Sequence, residues 1–208
     1  MIRTVRPISW LAILSLVVSN IIPVLGVLYW AWDLFQLMIL YLGELLILTA
    51  ASYAKLVKVT HERWNDQIKN LVGLVVGASF VYFIFICVLF SKTIDPTNET
   101  IDLVALKNLG QQIQSVLREI AWPLTLIALS HLLSYIVNFL GRGEYLRLTP
   151  TDLTKLPGWR MIGIHLAILG GCFLGFNGED PTRLAILILM SIKTLADLIT
   201  HIGEHRQA

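Results

Sequence analysis

Four ionisable residues recur at a spacing of four near the end of the sequence, starting inside its last apolar segment and ending just past it. They are Lys193, Asp197, His201 and His205. Residues i and i+4 lie on one face of an α-helix, so these side chains would form a single row. Charged groups inside a membrane span are costly, and by default they indicate a functional site with a partner. This row is therefore the first candidate functional site in the chain.

The composition predicts that the row belongs to a membrane protein. Of the 208 residues, 56% are hydrophobic and 14% are charged, and the mean hydropathy is +0.71. A soluble domain would carry roughly 25% charged residues. The net charge is only +2, and the sequence has no zinc-finger or P-loop motif, so no nucleic-acid partner is expected. Membrane lipid is the expected partner, and a homo-oligomer is compatible with this composition.

The apolar residues form six blocks, each close to the ~20 residues that a helix needs to cross the hydrocarbon layer. We predict one integral membrane domain over residues 1–208, with spans at roughly 8–29, 34–57, 71–90, 120–140, 161–177 and 183–202. Residues 101–117 mix apolar and polar positions, which predicts an amphipathic helix at the membrane interface. The predicted fold is an all-α polytopic bundle.

The lysine and arginine residues predict how this bundle is oriented in the membrane. Eleven of the sixteen fall on one side of the predicted spans and four on the other, and Lys193 lies within a span. The excess of positive charge marks the cytoplasmic side of a membrane. We therefore predict that both termini lie in the cytoplasm.

This orientation gives each polar residue an approximate depth. Asn138, His165, Asp197 and His201 come from three predicted spans and share one level near the cytoplasmic boundary. Histidine and aspartate are ligands of zinc and other divalent metals. His165, Asp197 and His201 would leave one position open for water, as in catalytic zinc sites, and His205 could replace one ligand. The sequence thus predicts a divalent-metal site, with zinc as the first choice.

Other polar residues would complete such a site. Glu44 and His131 lie near the middle of their predicted spans and are candidate catalytic groups that face each other. Asn138, Arg160 and Lys193 are candidates for substrate binding. Arg160 could hold an anionic head group, or it could extend to lipid phosphate.

Two stretches of the chain carry a recognisable pattern. The first is Asn20-x-Ile22-Pro23-x-Leu25-Gly26-Val27-Leu28, followed by Leu40-Tyr41-x-x-Glu44. The second is Arg160-x-x-x-x-His165, followed by Lys193-Thr194-x-x-Asp197-Leu198-x-x-His201-x-x-Glu204-His205. Together they resemble a bacterial family of multi-span integral membrane proteins of unknown function. The resemblance implies a multi-pass protein of the bacterial inner membrane whose second stretch acts as one unit, and it implies no known activity.

A looser similarity concerns the end of the row. His201-x-x-x-His205 is similar to the C-terminal His-x-x-x-His of the ceramidase and progestin-receptor-like membrane hydrolases, which carry a zinc near the cytoplasmic side. It suggests a metal-dependent hydrolase acting on a lipid or amphiphile, with metal-bound water as the nucleophile. Two alternatives stay open: a small proton-coupled transporter that uses the row as a relay, and a structural or assembly subunit held by interhelical hydrogen bonds.

Overall fold

The computed structural model describes residues 10–61, 66–94, 103–154, 169–170, 173, 186–188, 190–195 and 198. Four long helices account for most of this part of the chain: α1 (Trp10–Tyr29), α2 (Leu34–Thr60), α3 (Asp66–Ile94) and α4 (Leu103–Ser134). A π-helical turn (Tyr135–Gly141) continues α4, and a 3₁₀ turn (Glu144–Leu146) follows it. The described residues include no strand, so the all-α prediction is confirmed for them.

Both ends of α2 are fixed by local hydrogen bonds. The Asp33 carboxylate accepts from the backbone N–H of Gln36 at 3.0 Å, and the Gln36 side-chain oxygen accepts from the backbone N–H of Asp33 at 2.7 Å. This reciprocal capping box starts the helix. At the other end, His61 adopts a left-handed conformation (φ 58°) and its N–H donates to the Val57 carbonyl at 3.0 Å. The 27 residues between these caps exceed the ~20 that a membrane span needs.

α2 is the central helix of the described bundle. Half of the residues in its most apolar window are buried (50%), compared with 22% for α3 and 17% for α4. Its Phe35, Leu40 and Leu45 are almost completely buried in the main hydrophobic cluster. α2 and α4 approach closely at Gly43, where an added Cβ would lie 2.6 Å from Leu124 Cδ2. Small residues permit this kind of close helix approach in membrane bundles.

The outer faces of α3 and α4 are strongly apolar. Their exposed large side chains include Leu74, Val76, Phe80, Phe83, Leu126, Leu129, Leu132 and Leu133. Soluble monomers rarely leave so much contiguous apolar surface in water. In the described part of the chain, three helices are long and apolar enough to cross a membrane: Leu34–Thr60, Asp66–Ile84 and Lys107–Gly141. Two shorter apolar helices are Asn20–Tyr29 and Ile186–Leu195. These features are compatible with a membrane protein.

The structure differs from the sequence expectation around residues 101–140. A separate interfacial helix and a fourth span are expected there, but α4 continues without a break from Leu103 to Ser134. Leu109, Val116, Ile120 and Ile127 are all buried along it. Their spacings of seven, four and seven residues place them on one helical face. These buried residues lie on both sides of the boundary that hydropathy suggests between residues 101–117 and 120–140. Because one helical face is buried across that boundary, a single continuous helix is favoured.

Candidate functional site

A buried ion pair joins α2 to the apolar helix Ile186–Leu195. The Lys193 ammonium lies 2.7 Å from Glu44 Oε2 and 2.9 Å from Glu44 Oε1, so both carboxylate oxygens accept from it. The Lys193 side chain is 2% exposed and that of Glu44 is 14% exposed. At this burial neither charge is well solvated, so each must be stabilised by the protein. Each member of the pair therefore supplies the counter-charge that the other needs among apolar helices.

Two further residues contact the Lys193 ammonium. Asn20 Oδ1 accepts from Lys193 Nζ at 3.3 Å, and the centroid of the Tyr41 ring lies 5.0 Å from the same nitrogen. A lysine ammonium has three donors, and the two Glu44 oxygens and Asn20 provide one acceptor for each. The aromatic face adds a cation–π contact. The ammonium is therefore satisfied by α1 and α2 together.

Local helix geometry explains why these side chains converge. Tyr41 and Glu44 are three residues apart on α2, so they share a face one turn apart. Asn20 lies in α1 and is 5% exposed. Thr194 Oγ1 donates to the Met190 carbonyl at 2.9 Å and lies 3.4 Å from Asn20 Oδ1. The polar cluster of Asn20, Tyr41, Glu44, Lys193 and Thr194 thus links three helices.

The cluster pairs two predicted site residues with each other, which the sequence analysis does not predict. From the sequence, Glu44 is expected to face His131, and Lys193 is expected to share a row with Asp197. The structure places both Glu44 oxygens on Lys193. His131 is half-buried in the last turn of α4, and Asp197 lies outside the described residues. Opposite charges attract strongly where water is excluded, which favours Lys193 as the partner of the carboxylate.

Asn138, a predicted substrate-binding residue, lies in the π-helical turn and is 5% exposed. Its Nδ2 donates to Ser134 Oγ at 3.5 Å, and its buried Oδ1 has no hydrogen-bond partner among the described residues. π-helical turns inside α-helices occur frequently at functional sites. The unpaired acceptor keeps Asn138 a candidate for ligand binding.

The predicted metal site falls mostly on other parts of the chain. Arg160, His165, Asp197, His201 and His205 lie outside the described residues. Within the described ranges, no group of three histidine, cysteine, aspartate or glutamate side chains could hold a metal ion. The metal-site prediction for His165, Asp197, His201 and His205 therefore stays a prediction.

Asn20, Tyr41 and Thr194 are members of the cluster that the site prediction does not include. The sequence nevertheless contained a signal for them. All three stand in the two stretches that carry the family resemblance, beside Glu44 and Lys193. Residues from those two stretches meet at one place in the fold.

A family model matches residues 3–208, nearly the whole chain, and its description is a family of unknown function (DUF6498). No curated protein and no solved structure gave a significant match.

Proposed function

The chain belongs to the family of unknown function DUF6498, and we propose that it acts as a small proton-coupled carrier in a membrane. The Glu44–Lys193 ion pair is the observation that carries the proposal. Ionisable residues within membrane spans commonly mark ion pathways and proton relays. In this proposal Glu44 accepts the proton, and the helix that carries Lys193 moves when Glu44 is protonated.

The proposed coupling follows from the charge balance of the pair. While Glu44 is ionised, the pair is neutral overall and the ammonium has three acceptors. Protonation of Glu44 would remove the negative charge that lies 2.7 Å from the Lys193 ammonium, in a site that is almost completely buried. Losing this counter-charge is strongly unfavourable for a buried ammonium. The helix that carries Lys193 would then move toward water, so proton binding would shift the equilibrium between two helix arrangements.

The carrier would be a multi-pass protein of the bacterial inner membrane with six spans and both termini in the cytoplasm. The uneven distribution of lysine and arginine and the apolar outer faces of α3 and α4 support this topology. We expect reporter fusions after Lys58, Arg147 and Arg206 to report the cytoplasm. Fusions after Lys107 and Glu179 should report the opposite side. A fusion at Arg206 that reports the opposite side would contradict this topology.

The proton-coupling proposal is tested by proton uptake in proteoliposomes that contain a trapped pH-sensitive dye. Amino acids, small carboxylates and small amines are added separately outside the vesicles. We expect one class to acidify the interior with wild-type protein and to have no effect with Glu44→Gln. Glu119→Gln is the matched control, because Glu119 instead accepts from the Gln36 side chain at 2.9 Å. Wild-type vesicles that show no proton movement with any class would contradict the carrier proposal.

A metal-dependent hydrolase acting on a lipid or amphiphile is the second candidate function. One observation favours it: the Glu44 carboxylate lies 2.7 Å from Lys193 Nζ and balances the charge of the ammonium. Charge balance therefore does not require Asp197 as a second partner, and Asp197 is proposed as a ligand with His165, His201 or His205. Elemental analysis of the preparation used for the transport assay separates the two candidates. One zinc per chain, lost in Asp197→Asn, would favour the hydrolase, with Glu44 and His131 as its candidate catalytic groups.

A further inference from the structure

The buried stripe of α4 becomes polar toward its end and in the π-helical turn that follows. His131 and Ser134 are half-buried, and Asn138 is 5% exposed. Their spacings of three and four residues place them on one helical face. His131 follows the buried Ile127 by four residues, so these polar side chains continue the stripe that contains Ile127. The stripe therefore changes from apolar to polar along the helix.

The neighbouring helix α2 shows the same change on passing Glu44. Beyond Glu44, Ser52 is 8% exposed and Thr49 is half-buried. Their hydroxyls donate to carbonyls of α2 at 2.9 Å and 2.7 Å, and each oxygen can still accept a hydrogen bond. Between Asp33 and Glu44, by contrast, the buried positions are apolar except for a tyrosine: Leu34, Phe35, Leu37, Met38, Ile39, Leu40 and Tyr41.

Contacts between the two helices align their polar positions. Gly43 lies against Leu124, and Lys55 lies over the Phe139 ring, so α2 and α4 run side by side in the same direction. At ~1.5 Å per residue, the middle of the π-helical turn lies roughly 20 Å along the bundle from the level of Glu44. The polar side chains between these two levels are Thr49, Ser52, His131 and Ser134. They divide the interval into steps of less than two helical turns.

Asn138 has the hydrogen-bonding pattern of a residue that holds internal water. Its Oδ1 is buried with no hydrogen-bond partner among the described residues, and its Nδ2 makes a long bond of 3.5 Å to Ser134 Oγ. Exchanging the two amide atoms would only transfer the unpaired position to the nitrogen. A buried polar atom without a partner is unfavourable, and internal waters commonly bind to such atoms. Water bound to the Asn138 amide would also lie near the Ser134 hydroxyl.

We propose that Ser134 and Asn138 hold water molecules in a proton route that joins Glu44 to the end of the bundle at Thr60 and Gly141. The inference rests on the proposed carrier function. The Glu44 carboxylate takes a proton from the adjacent water, that water takes one from its neighbour, and the last water takes one from solution. Chains of polar and ionisable side chains mark proton relays in membrane proteins. Ser134 and Asn138 are positioning residues here, because they orient water and lose no proton themselves.

The distribution of polar side chains gives this route a direction. On the other side of Glu44, the mostly apolar buried positions of α2 exclude water. The arrangement of helices in the structure therefore opens Glu44 to protons from the end at Thr60 and closes it to protons from the end at Asp33. A carrier that alternates between two helix arrangements needs this one-sided access in each of them.

Radiolytic labelling in water that contains a heavy oxygen isotope tests for the internal water. Hydroxyl radicals formed from that water add the isotope to side chains in contact with it, and mass spectrometry locates the label. Phe139 and Phe35 are a matched pair, because both are phenylalanines and their exposed fractions are 0% and 1%. We expect wild-type protein to be labelled at Phe139 and not at Phe35. Asn138→Leu and Ser134→Ala should each lose label at Phe139, whereas Asn70→Leu, at an exposed position of α3, should not.

The proton-uptake assay in proteoliposomes supplies the second measurement. Asn138→Leu should slow the acidification of the vesicle interior about tenfold, since the barrier rises by roughly the value of one hydrogen bond. Asn70→Leu should keep the wild-type rate. Equal labelling of Phe139 and Phe35 in wild-type protein, or a wild-type uptake rate in Asn138→Leu, would overturn the proton route. A lack of uptake by wild-type vesicles would contradict the carrier function itself, and the labelling pattern does not depend on that outcome.

Discussion

Replacing Lys193 by methionine is expected to lower the free energy of unfolding by about 3–5 kcal/mol. The substitution leaves the Glu44 carboxylate buried without its counter-charge, and Asn20 Oδ1 loses a donor. Glu44→Met should cost a similar amount, because it strands the ammonium. The double variant should recover much of the loss, since two well-packed apolar side chains can replace a buried ion pair at little cost. Denaturant titration of the purified protein in detergent measures all three values.

An exposed ion pair on α3 supplies the matched control. Lys69 Nζ lies 3.1 Å from Asp66 Oδ1, and their side chains are 49% and 93% exposed. Lys69→Met should therefore change the free energy of unfolding by less than about 1 kcal/mol. A double-mutant cycle of Lys193 with Asp197 should show less coupling than the cycle with Glu44, because the Glu44 carboxylate lies 2.7 Å from the ammonium and balances its charge. Losses for Lys193→Met and Glu44→Met that simply add in the double variant would contradict the assigned pair.

Gly26→Ala is expected to destabilise the protein by about 1–3 kcal/mol through steric overlap. An added Cβ would lie 2.5 Å from Trp32 Cδ2 and 2.8 Å from Trp32 Cζ3, both atoms of a rigid ring. Trp32 is 5% exposed, and its backbone N–H donates to the Gly26 carbonyl at 3.0 Å. Trp32 therefore cannot easily move away. The packing of this tryptophan on Gly26 fixes the turn between α1 and α2. Denaturant titration in detergent is again the measurement.

Gly73→Ala is the matched control for this substitution. Gly73 also lies inside a helix, but an added Cβ would meet nothing within 4 Å. Alanine is favoured over glycine in helix interiors, so Gly73→Ala should be neutral or should stabilise the protein by up to about 1 kcal/mol. Gly26→Ala combined with Trp32→Leu should recover part of the steric loss. Equal effects of the two single substitutions would show that the Trp32 ring does not restrict position 26.

The helices themselves are largely determined by the sequence. The expected second span, 34–57, agrees closely with α2 (Leu34–Thr60), because its length, its apolar composition and its capping residues are all local features. Local spacing also identified Glu44 and Lys193 as ionisable groups within apolar segments. The sequence did not predict that α4 runs as one helix from Leu103 to Ser134. Hydropathy reports how apolar a segment is, but it does not report which neighbouring helices the buried face of that segment contacts.

The partners of those ionisable groups were decided only by the tertiary structure. Residues four apart on one helix are neighbours by construction, which is why Lys193 and Asp197 form a plausible pair in the sequence. Glu44 and Lys193 are separated by 149 positions, and Asn20 and Lys193 by 173. Their contact depends on which helices pack together and how each is rotated about its axis. No local periodicity encodes that choice. It follows from close packing of the helices and from the need of a buried ammonium for acceptors on every donor.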